Sequence, residues 1–541
     1  MKLPLLILTV LGGTLLGATP PRPNTLFFFV DDWGRYASCY AEEGGPSLND
    51  IVKTPHFDRI GREGVIFENA FVPVSSCGPC RASLATGRYF WTCGSGAFLN
   101  GKASDWTAHE NPFTSMKKFP DLLRESGYLA RKQVKTITFN ESKPTPVEKG
   151  MPRVDYQRYG LYVSEATDDA ERAKRIEATL NHPRYEMRRV VKAAQSVAKP
   201  FFFIYGTINV HRPYTADSGE KLWGIDPDSL KGRIPKFLPD VEDVRRDFAD
   251  YLGEVQAADA MLGVMLDELE KAGQLDNTLV ILSGDNGIPG IPRGKTNCYD
   301  LSVRAPMMAR LPSTIPGGRR VNDFVSVMDV GPTLLDLAGL PVPADMNGRS
   351  FLKQLTSDQE GWIDETRDWV VVGRELHFHT ARDGNLPYPM RAIRTRDHLY
   401  IHNFKPDRWP NGAPYNLNDK STADDYEKLE DAPYRDLDAS LTKSWLIDNR
   451  AATDAKDAIE MTLGKRPPEE LYAIQDDPDS LTNLAGQPAA EAKLKELRDR
   501  LDEIMLKTSD PRLTDAFDRL PYIGDPAKLS TEARKAGKKA K

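Results

Sequence analysis

The sequence predicts an α/β protein in which a large, mostly parallel β-sheet lies between layers of helices, followed by a smaller C-terminal α+β subdomain. Three continuous apolar runs, at 26–30, 201–205 and 279–282, are typical of strands that are buried on both faces. Helical patterns separate these runs along the chain, and strands that alternate with helices form parallel sheets. From about residue 371 the chain changes to short strands, turn residues and long polar connections, which predicts the second unit.

The first residues have the features of a secretory signal peptide. Lys2 precedes an apolar run at 3–16 that is too short to span a bilayer comfortably, and small residues follow as far as Ala18. We expect residues 1–18 to be removed on export, which gives a secreted or periplasmic protein without a membrane span. A membrane anchor is the alternative interpretation of this segment.

The remaining elements follow from hydrophobic periodicity. Helices are predicted at 55–64, 119–128 and 250–273. The segment 325–341 is predicted to contain the end of a strand followed by a helix that a glycine terminates. In the second unit we predict strands at 369–373 and 398–404 and a last helix within 488–508. The chain is thus divided into a signal peptide at 1–18, a first unit at 22–370, a smaller subdomain at 371–525 and a basic disordered tail at 526–541.

The composition of the whole chain limits the kind of protein it can be. Its 541 residues, 40% hydrophobic and 28% charged, suffice for a large core and a second unit. The net charge of −6 creates no overall basic field, so we expect no nucleic-acid partner. Five cysteines are an odd number and no dense disulfide framework, so at least one thiol is left over.

Polar residues follow the predicted strands where those strands end. Asp31 and Asp32 follow the first strand, and Asp285 and Asn286 follow the third. Sites in parallel sheets form beyond the carboxyl ends of the strands. Three carboxylates brought together repel each other unless a cation joins them, and oxygen ligands suit Ca²⁺ or Mg²⁺. One such pair alone would more simply cap a helix or a turn, but two pairs on two strands favour a metal site.

Cys77 and Cys80 lie three residues apart in the stretch SSCGPCRASLATGR, at 75–88. The spacing matches a thioredoxin-type redox pair, but that motif belongs near the start of a small domain with another layout. A zinc site needs two more soft ligands at suitable spacing, and the sequence offers none. A disulfide between the two would have no evident role beside the acidic residues.

The whole stretch resembles the signature of the type I sulfatases, in which a separate enzyme oxidises the first cysteine of C-x-P-x-R to formylglycine. Cys77 and Arg81 match this motif, and Thr86-Gly87-Arg88 extends it. The acidic pairs upstream and downstream occur in the family's order, and 470–485 resembles its C-terminal phrase. Within the family the chain is similar to the heparan N-sulfatases, or sulfamidases, through VSSCGPCRASLATG, SGDNGIPGIPRGKTNCY and YPMRAIRTRDHLYIHNF.

The resemblance implies an alkaline phosphatase-like fold and an enzyme that hydrolyses sulfuric esters or sulfamates. It implies one Ca²⁺, held by Asp31, Asp32, the modified Cys77, Asp285 and Asn286. It also implies that Cys77 becomes a formylglycine hydrate, which is the nucleophile, and that Arg81 holds this side chain. Lys135 and Lys295 would bind the sulfate, and His211 would donate a proton to the leaving group. The implied partners are a sulfated glycan and, during maturation, the formylglycine-generating enzyme.

One position departs from the family pattern. The family commonly has Lys-x-His where this chain has Lys135-Thr136-Ile137, and that histidine helps to release sulfate from the covalent intermediate. Either another residue, such as His109 or Asn140, replaces it, or turnover is impaired. Two other functions stay open. One is a phosphodiesterase or phosphonate hydrolase of the same superfold, and the other, for which Ile137 is the main support, is a catalytically impaired glycan-binding protein.

The segment 373–385 predicts part of a sugar pocket. It contains Glu375, His377, His379 and Arg382 just before the stretch shared with the heparan N-sulfatases. Glu375 is predicted to bind sugar hydroxyls or an amine, and Arg382 a uronate or a second sulfate. A polar turn of the second unit is the alternative for each residue. The linkage that is cut, S–N or S–O, is not determined by the sequence.

Overall fold

The computed structural model describes residues 22–41, 46–99, 112–378, 380–415, 417, 422 and 432–519. The predicted signal peptide and basic tail lie outside these residues, as do His109 and His379. Within the described residues, no helix combines the length and the apolar character needed to cross a membrane.

The first unit is built on a mostly parallel sheet, as predicted. The strands of this unit are β1 (Asn24–Val30), β2 (Val65–Phe67), β3 (Ala70–Phe71), β4 (Leu129–Val134), β5 (Phe201–Gly206), β6 (Thr278–Gly284), β7 (Met307–Arg310), β8 (Arg319–Val321) and β9 (Val325–Ser326). Within the described residues the main sheet has seven strands in the order β4-β5-β1-β6-β7-β2-β8, and β3 pairs with β9. The strands of the main sheet all run parallel to one another except β7, which is antiparallel to its neighbours β6 and β2.

Helices cover both faces of this sheet. Two of them are long, and one contains the cysteine motif. The helices are α1 (Pro55–Glu63), α2 (Cys77–Thr86), α3 (Pro112–Ser115), α4 (Phe119–Glu125), α5 (Pro146–Lys149), α6 (Tyr159–Val163), α7 (Asp169–Ser196), α8 (Ser218–Trp223), α9 (Glu242–Lys271), α10 (Asp300–Val303), α11 (Val330–Leu337) and α12 (Leu352–Thr356).

The apolar runs form strands because both of their faces are buried. Alternate side chains of β1 point to opposite faces, so Phe27 and Phe29 pack in one core cluster while Leu26 and Phe28 pack in another. Full burial of each such side chain stabilises the fold by about 1.5–3 kcal/mol. β5 and β6 flank β1 and are buried in the same way, which confirms the three predicted central strands.

The second unit contains an antiparallel sheet and the last described α-helix. Its strands and helices are β10 (Trp369–Arg374), β11 (Met390–Thr395), β12 (His398–Asn403), α13 (Leu441–Asp448), α14 (Lys456–Leu463), β13 (Glu469–Ala473) and α15 (Glu491–Lys507). The strands pair in chain order. Leu497 and Leu501 of α15 belong to the same core cluster as Phe27 of β1, so the two units share one hydrophobic core.

Candidate active site

The two acidic pairs meet at the carboxyl edge of the main sheet. β1 and β6 are parallel neighbours, paired as far as their last residues, so the residues that follow emerge side by side. The backbone N–H of Asp32 donates to the carboxylate of Asp285 at 2.8 Å, and the side-chain amide of Asn286 donates to Asp32 at 2.7 Å. Asp31 completes the cluster, and all four side chains are fully buried.

Burial shifts the pKa values of this cluster even though each carboxylate has a cationic partner. Burial raises the pKa of Asp31, but Lys135 and Arg81 outweigh burial and hold that pKa well below its usual value. Burial, reinforced by the carboxylates of Asp31 and Asp32, raises the pKa of Asp285 to about 7. A bound cation would relieve this repulsion between buried carboxylates.

Four donor atoms lie close enough together to share a cation, and two of them are carboxylate oxygens. One atom from each of Asp31, Asp32, Cys77 and His211 lies within 4.8 Å of the others. The side-chain oxygen of Asn286 is buried and has no hydrogen-bond partner among the described residues. Leaving a buried acceptor unpaired costs about 1–3 kcal/mol, which a cation would offset. Carboxylate and amide oxygens are the ligands that Ca²⁺ and Mg²⁺ prefer.

Helix α2 brings its first residue, Cys77, to the acidic cluster. The sulfur of Cys77 lies 3.6 Å from a carboxylate oxygen of Asp32, and burial raises the pKa of this thiol above its usual value. Arg81 lies one turn further along the same helix, where its guanidinium is 3.0 Å from Asp31 and 2.7 Å from Asp285. The N-terminus of α2 also offers backbone N–H groups to an anion near residue 77.

Two lysines and a histidine surround the same carboxylates. The ammonium group of Lys135 is 2.7 Å from Asp31, and that of Lys295 is 2.8 Å from Asp32. The Nε2 atom of His211 is 3.8 Å from Asp32, while its Nδ1–H donates to the backbone carbonyl of the next residue at 2.6 Å. Lys295 is 3% exposed, whereas Lys135 and His211 are 35% and 32% exposed, so the latter two border the opening of the site.

A cavity of about 350 Å³ opens beside Cys77. Its walls combine the cationic Arg81 and Lys135 with the apolar rings of Phe98 and Phe113. A volume of this size is at the small end of the range for ligand sites, and the mixture of charges and rings is typical of them.

The position of the family's histidine is occupied by a core residue. Ile137 is 3% exposed and packs in the main hydrophobic cluster, so it provides neither a proton acceptor nor a donor at the site. Of the two predicted replacements, Asn140 is exposed and its backbone N–H donates to Asp121. The other, His109, lies outside the described residues.

Glu375 and Arg382 are not placed to contact substrate, which corrects two of the predictions. The carboxylate of Glu375 is fully buried between Arg391 and Arg512. The guanidinium of Arg382 is buried and donates to Asp436 at 2.7 Å and to backbone carbonyls. Buried charges require such partners, so these two residues stabilise the second unit instead of lining its surface.

His377, the third residue predicted to contact substrate, lies next to the cysteine helix. Its Nδ1 shares a hydrogen bond of 2.8 Å with the hydroxyl of Ser76, the residue before Cys77. Burial, reinforced by the positive charge of Lys295, lowers the pKa of His377 well below its usual value, so the ring is neutral. Its Nε2 is buried and has no partner among the described residues. Substrate contact by His377 stays a prediction.

One residue of the site was missed by the sequence analysis. The carboxylate of Asp438, in the second unit, lies 3.6 Å from the ammonium group of Lys295. Asp438 belongs to a long polar connection without a motif or periodicity, so no sequence signal distinguished it. Only the packing of the second unit against the first brings it to the site.

A family model described as Sulfatase matches residues 23–340, more than half of the chain. The chain belongs to the sulfatase family. A second model, described as N-sulphoglucosamine sulphohydrolase, C-terminal, matches residues 294–422 and confirms the predicted similarity to the heparan N-sulfatases. The protein is thus a sulfatase, an enzyme that hydrolyses a sulfate ester or a sulfamate.

Similarity to individual sulfatases extends over most of the chain. The human N-sulphoglucosamine sulphohydrolase is 28% identical over 535 residues, which cover 92% of this sulfatase and 93% of the relative. An ulvan-active sulfatase of Formosa agariphila is 26% identical over 505 residues, covering 91% and 76%.

Solved structures share the fold. A sulfatase of Pseudoalteromonas sp. superposes with a TM-score of 0.55 at 19% identity, covering 90% of this sulfatase and 91% of that chain. A protein in complex with its substrate D-glucosamine-2-N,6-O-disulfate gives a TM-score of 0.53 at 17% identity, covering 90% and 98%. The predicted sulfatase-type α/β fold with its C-terminal subdomain is confirmed.

Proposed function

We propose that this sulfatase bears a formylglycine made from Cys77, binds one Ca²⁺ and removes sulfate from a sulfated glycan. The observation that carries the proposal is the convergence of the acidic cluster, the first residue of α2 and three basic side chains at one edge of the sheet. The thiol of Cys77 occupies the place where the family resemblance puts the formylglycine side chain.

The calcium ligands would be Asp31, Asp32, Asp285, Asn286 and residue 77. When bound, the ion supplies a charge that neutralises the carboxylates and lowers the pKa of an oxygen ligand. The unpaired oxygen of Asn286 and the raised pKa of Asp285, which lies beside two other buried carboxylates, support this assignment.

The basic side chains have distinct roles in the proposal. Lys135 and Lys295 approach different carboxylates of the cluster, so their ammonium groups flank the space next to residue 77. There they bind the sulfate oxygens, which gain negative charge as the sulfur is attacked. Arg81, fixed between two carboxylates, holds the side chain of residue 77 in place.

His211 is the proton donor for the leaving group in this proposal. Its Nδ1–H is held by a backbone carbonyl, so Nε2 is the ring atom that exchanges a proton with the substrate. The ring is about a third exposed, which gives a substrate access to Nε2.

A sulfated glycan is the substrate class best supported by the relatives. The human relative is named for N-sulphoglucosamine, the Formosa relative for ulvan, and one structural neighbour was solved with a doubly sulfated glucosamine. We also propose that the chain is exported to a secreted or periplasmic location after loss of residues 1–18, and that a formylglycine-generating enzyme modifies it during maturation.

A phosphodiesterase or phosphonate hydrolase of the same superfold remains the main enzymatic alternative. Such enzymes use more metal-binding histidines than the single His211 in the donor cluster of the described residues. An impaired glycan-binding protein is supported by the buried Ile137.

The test is co-expression with a formylglycine-generating enzyme, followed by mass analysis of the peptide around Cys77 and by assays of the purified protein with Ca²⁺. We expect the mass change for loss of sulfur and two hydrogens and gain of one oxygen, together with sulfate release from an aryl sulfate. The Cys77→Ala variant should lose this activity, and the matched Cys93→Ala variant, which changes a buried cysteine outside the site, should keep it.

The same assay separates the alternatives. Faster hydrolysis of a phosphate diester than of any sulfate would favour the phosphodiesterase. A modified residue 77 that completes one turnover and then stalls would favour the impaired protein. Absence of modification, together with absence of sulfate release, would contradict the proposed mechanism.

A further inference from the structure

A second cavity lies on the same edge of the main sheet as the active site but outside it. Its volume is about 420 Å³, within the roughly 300–1,000 Å³ of ligand sites. No residue assigned to the metal, the nucleophile, the sulfate or the leaving group lines it. It is called the arginine cavity below, and its cationic lining residues are Arg35, Arg233, Lys236 and Arg304.

The topology of the sheet places the arginine cavity beside the active site. Arg35 follows β1 on the same segment as Asp32, and Glu68 follows β2 directly. Arg304 lies three residues before β7, and because β7 is antiparallel it begins at the edge where the parallel strands end. In the sheet, β7 and β2 lie one and two strands beyond β6, which is about 5 and 10 Å.

Arg304 reaches the arginine cavity without a carboxylate partner. Its Nε and Nη2 atoms donate to the backbone carbonyl of Glu68 at 3.2 and 2.7 Å, and Nη2 also donates to the side-chain oxygen of Asn69 at 3.3 Å. Within the described residues, Nη1 makes no hydrogen bond and is not among the buried atoms that lack one. This nitrogen is therefore accessible and can donate to a ligand.

Neighbouring guanidinium groups already use the carboxylates close to Arg304. Arg35 and Arg320 share the single carboxylate of Glu68. The carboxylate of Asp300, which lines the cavity, accepts two hydrogen bonds from another guanidinium, that of Arg394, at 2.9 and 3.0 Å. In this part of the described chain, four guanidinium groups thus meet two carboxylates.

The excess of positive charge acts on Arg304. Burial, reinforced by the charge of Arg35, lowers the pKa of Arg304 to about 10, because a second guanidinium nearby disfavours the charged form. Arg304 is still charged at neutral pH. An anion bound in the cavity would relieve the repulsion between these groups.

Lys236 is a second cation of the cavity that lacks an ion-pair partner among the described residues. Its side chain is exposed, and its backbone N–H donates at 3.1 Å to Asp479, an acid that also lines the cavity. Arg233, in contrast, pairs with Asp50 at 2.9 Å. Lys236 and Arg304 are therefore the lining cations with the greatest capacity to bind an anion.

We propose that the arginine cavity binds an oxyanion, a sulfate or a carboxylate, separate from the sulfate that is removed at residue 77. Nη1 of Arg304 and the ammonium group of Lys236 are the donors. A guanidinium suits such anions because its planar N–H groups match their oxygens, and an ammonium group adds a compact charge. The proposal goes beyond the function proposed above and does not depend on it. The anion comes either from solution, as inorganic sulfate, or from an anionic group of a glycan.

The test measures the binding of inorganic sulfate to the full chain by titration calorimetry at low ionic strength. In parallel, inhibition of aryl sulfate hydrolysis by inorganic sulfate reports the active site. We expect Arg304→Gln to weaken binding at the second class of site about 10- to 100-fold, and Lys236→Gln about 2- to 5-fold. The loss should appear in the calorimetry and not in the inhibition constant.

The matched control is Lys231→Gln. It removes the same charge from an exposed lysine five residues away, which does not line the cavity, and should leave the calorimetric binding unchanged. Lys236→Gln also keeps the test decisive if Arg304→Gln fails to fold, because the side chain of Lys236 is exposed and makes no hydrogen bond within the described residues.

A sulfated tetrasaccharide then identifies the source of the anion. A greater loss of affinity for the tetrasaccharide than for inorganic sulfate in Lys236→Gln would assign the anion to a glycan, and a loss confined to inorganic sulfate would assign it to the solution.

Two results would overturn the arginine cavity as an anion site: unchanged sulfate binding in both Arg304→Gln and Lys236→Gln, or equal weakening in Lys231→Gln, which would reveal only a general effect of net charge. A wild-type enzyme inactive on every sulfate would overturn the proposed function but not this proposal, because calorimetry needs no turnover.

Discussion

Replacing Glu375 by glutamine tests whether this residue is a buried structural ion or a substrate contact. The carboxylate accepts hydrogen bonds from Arg391 at 2.9 Å and from two nitrogens of Arg512. Arg391 pairs in addition with Asp510, and all four of these side chains are fully inaccessible to solvent. The cluster joins the end of β10 and the start of β11 to the segment that follows α15.

The expected cost follows from the burial of the cluster. Glutamine keeps the volume of glutamate but removes the one carboxylate that pairs with both Arg391 and Arg512, and its amide nitrogen faces N–H donors. Arg391 keeps Asp510 as a partner, and Arg512 keeps Asp515 and Asp518. Removing one partner from a buried ion pair costs about 3–5 kcal/mol, and we expect the lower end of this range because both arginines keep other carboxylate partners. Solvent does not screen these ion pairs, because the exposed fraction of each of the three side chains is 0%.

The assay is chemical denaturation followed by circular dichroism, together with kcat/KM per folded molecule. We expect Glu375→Gln to lower the free energy of unfolding by about 3–5 kcal/mol while kcat/KM of the folded enzyme stays close to that of the wild type. The matched control is Glu503→Gln, on the surface of α15 next to Lys507, which should leave the denaturation midpoint unchanged. A raised KM without loss of stability would refute this reasoning and restore Glu375 as a substrate contact.

Three other predictions follow from the site and the core. Removing divalent ions with a chelator should lower the thermal midpoint, and Ca²⁺ at a hundredfold excess over its Kd should restore about 2.7 kcal/mol; a similar response in Asp285→Asn would contradict the assigned ligands. Burial raises the pKa of Glu254 from 4.5 to about 8, so the contribution of Glu254 to stability is complete below pH 4.5 and is lost as the pH rises through about 8. The free energy of unfolding of Glu254→Gln should therefore change less with pH between these values. An unchanged slope would argue against the shift. A Cβ atom on Gly206 would lie 1.5 Å from the carbonyl oxygen of Lys135, so Gly206→Ala should displace Lys135 and reduce kcat/KM strongly. The matched control is Gly150→Ala, whose Cβ would lie 3.7 Å from the nearest atom, the carbonyl oxygen of Val147, and which should keep its activity. Equal activity of the two variants would show that Lys135 tolerates the displacement.

The central strands could be predicted because burial on both faces leaves a local signal. The runs at 26–30, 201–205 and 279–282 lie within β1, β5 and β6, which are neighbours at the centre of the sheet. The helix predicted at 250–273 is longer in the structure, where α9 begins at Glu242. Val244 and Phe248 continue the four-residue apolar spacing of Leu252 towards the N-terminus and pack in the same core cluster, so the periodicity extends further than the prediction followed it.

The acidic cluster was predictable for a related reason. Asp31 and Asp285 each follow directly after a central strand, so knowing the strands and their parallel direction is enough to bring them together. Glu375 and Arg382 carry no such constraint. Their charged side chains suggested a surface pocket, but the structure pairs them with Arg512 and Asp436, residues far away in sequence whose position no local pattern reveals.

The same distinction explains why the chemistry could be inferred from the sequence but the fit of the sugar could not. The proposed metal ligands and nucleophile lie next to strand ends or at a helix start of the first unit, where local pattern and topology determine position. Asp438 and His377 reach the site only because the second unit packs against the first, and both lie near Lys295 or Cys77 through contacts that span more than a hundred residues. Lys295 lies between Asp32 on one side and Asp438 on the other, so a substitution at Asp438 acts on the proposed sulfate site through this ammonium group. We therefore expect changes at Asp438 to alter the proposed chemical step through Lys295, which kcat/KM for an aryl sulfate would measure without any contribution from a sugar ring.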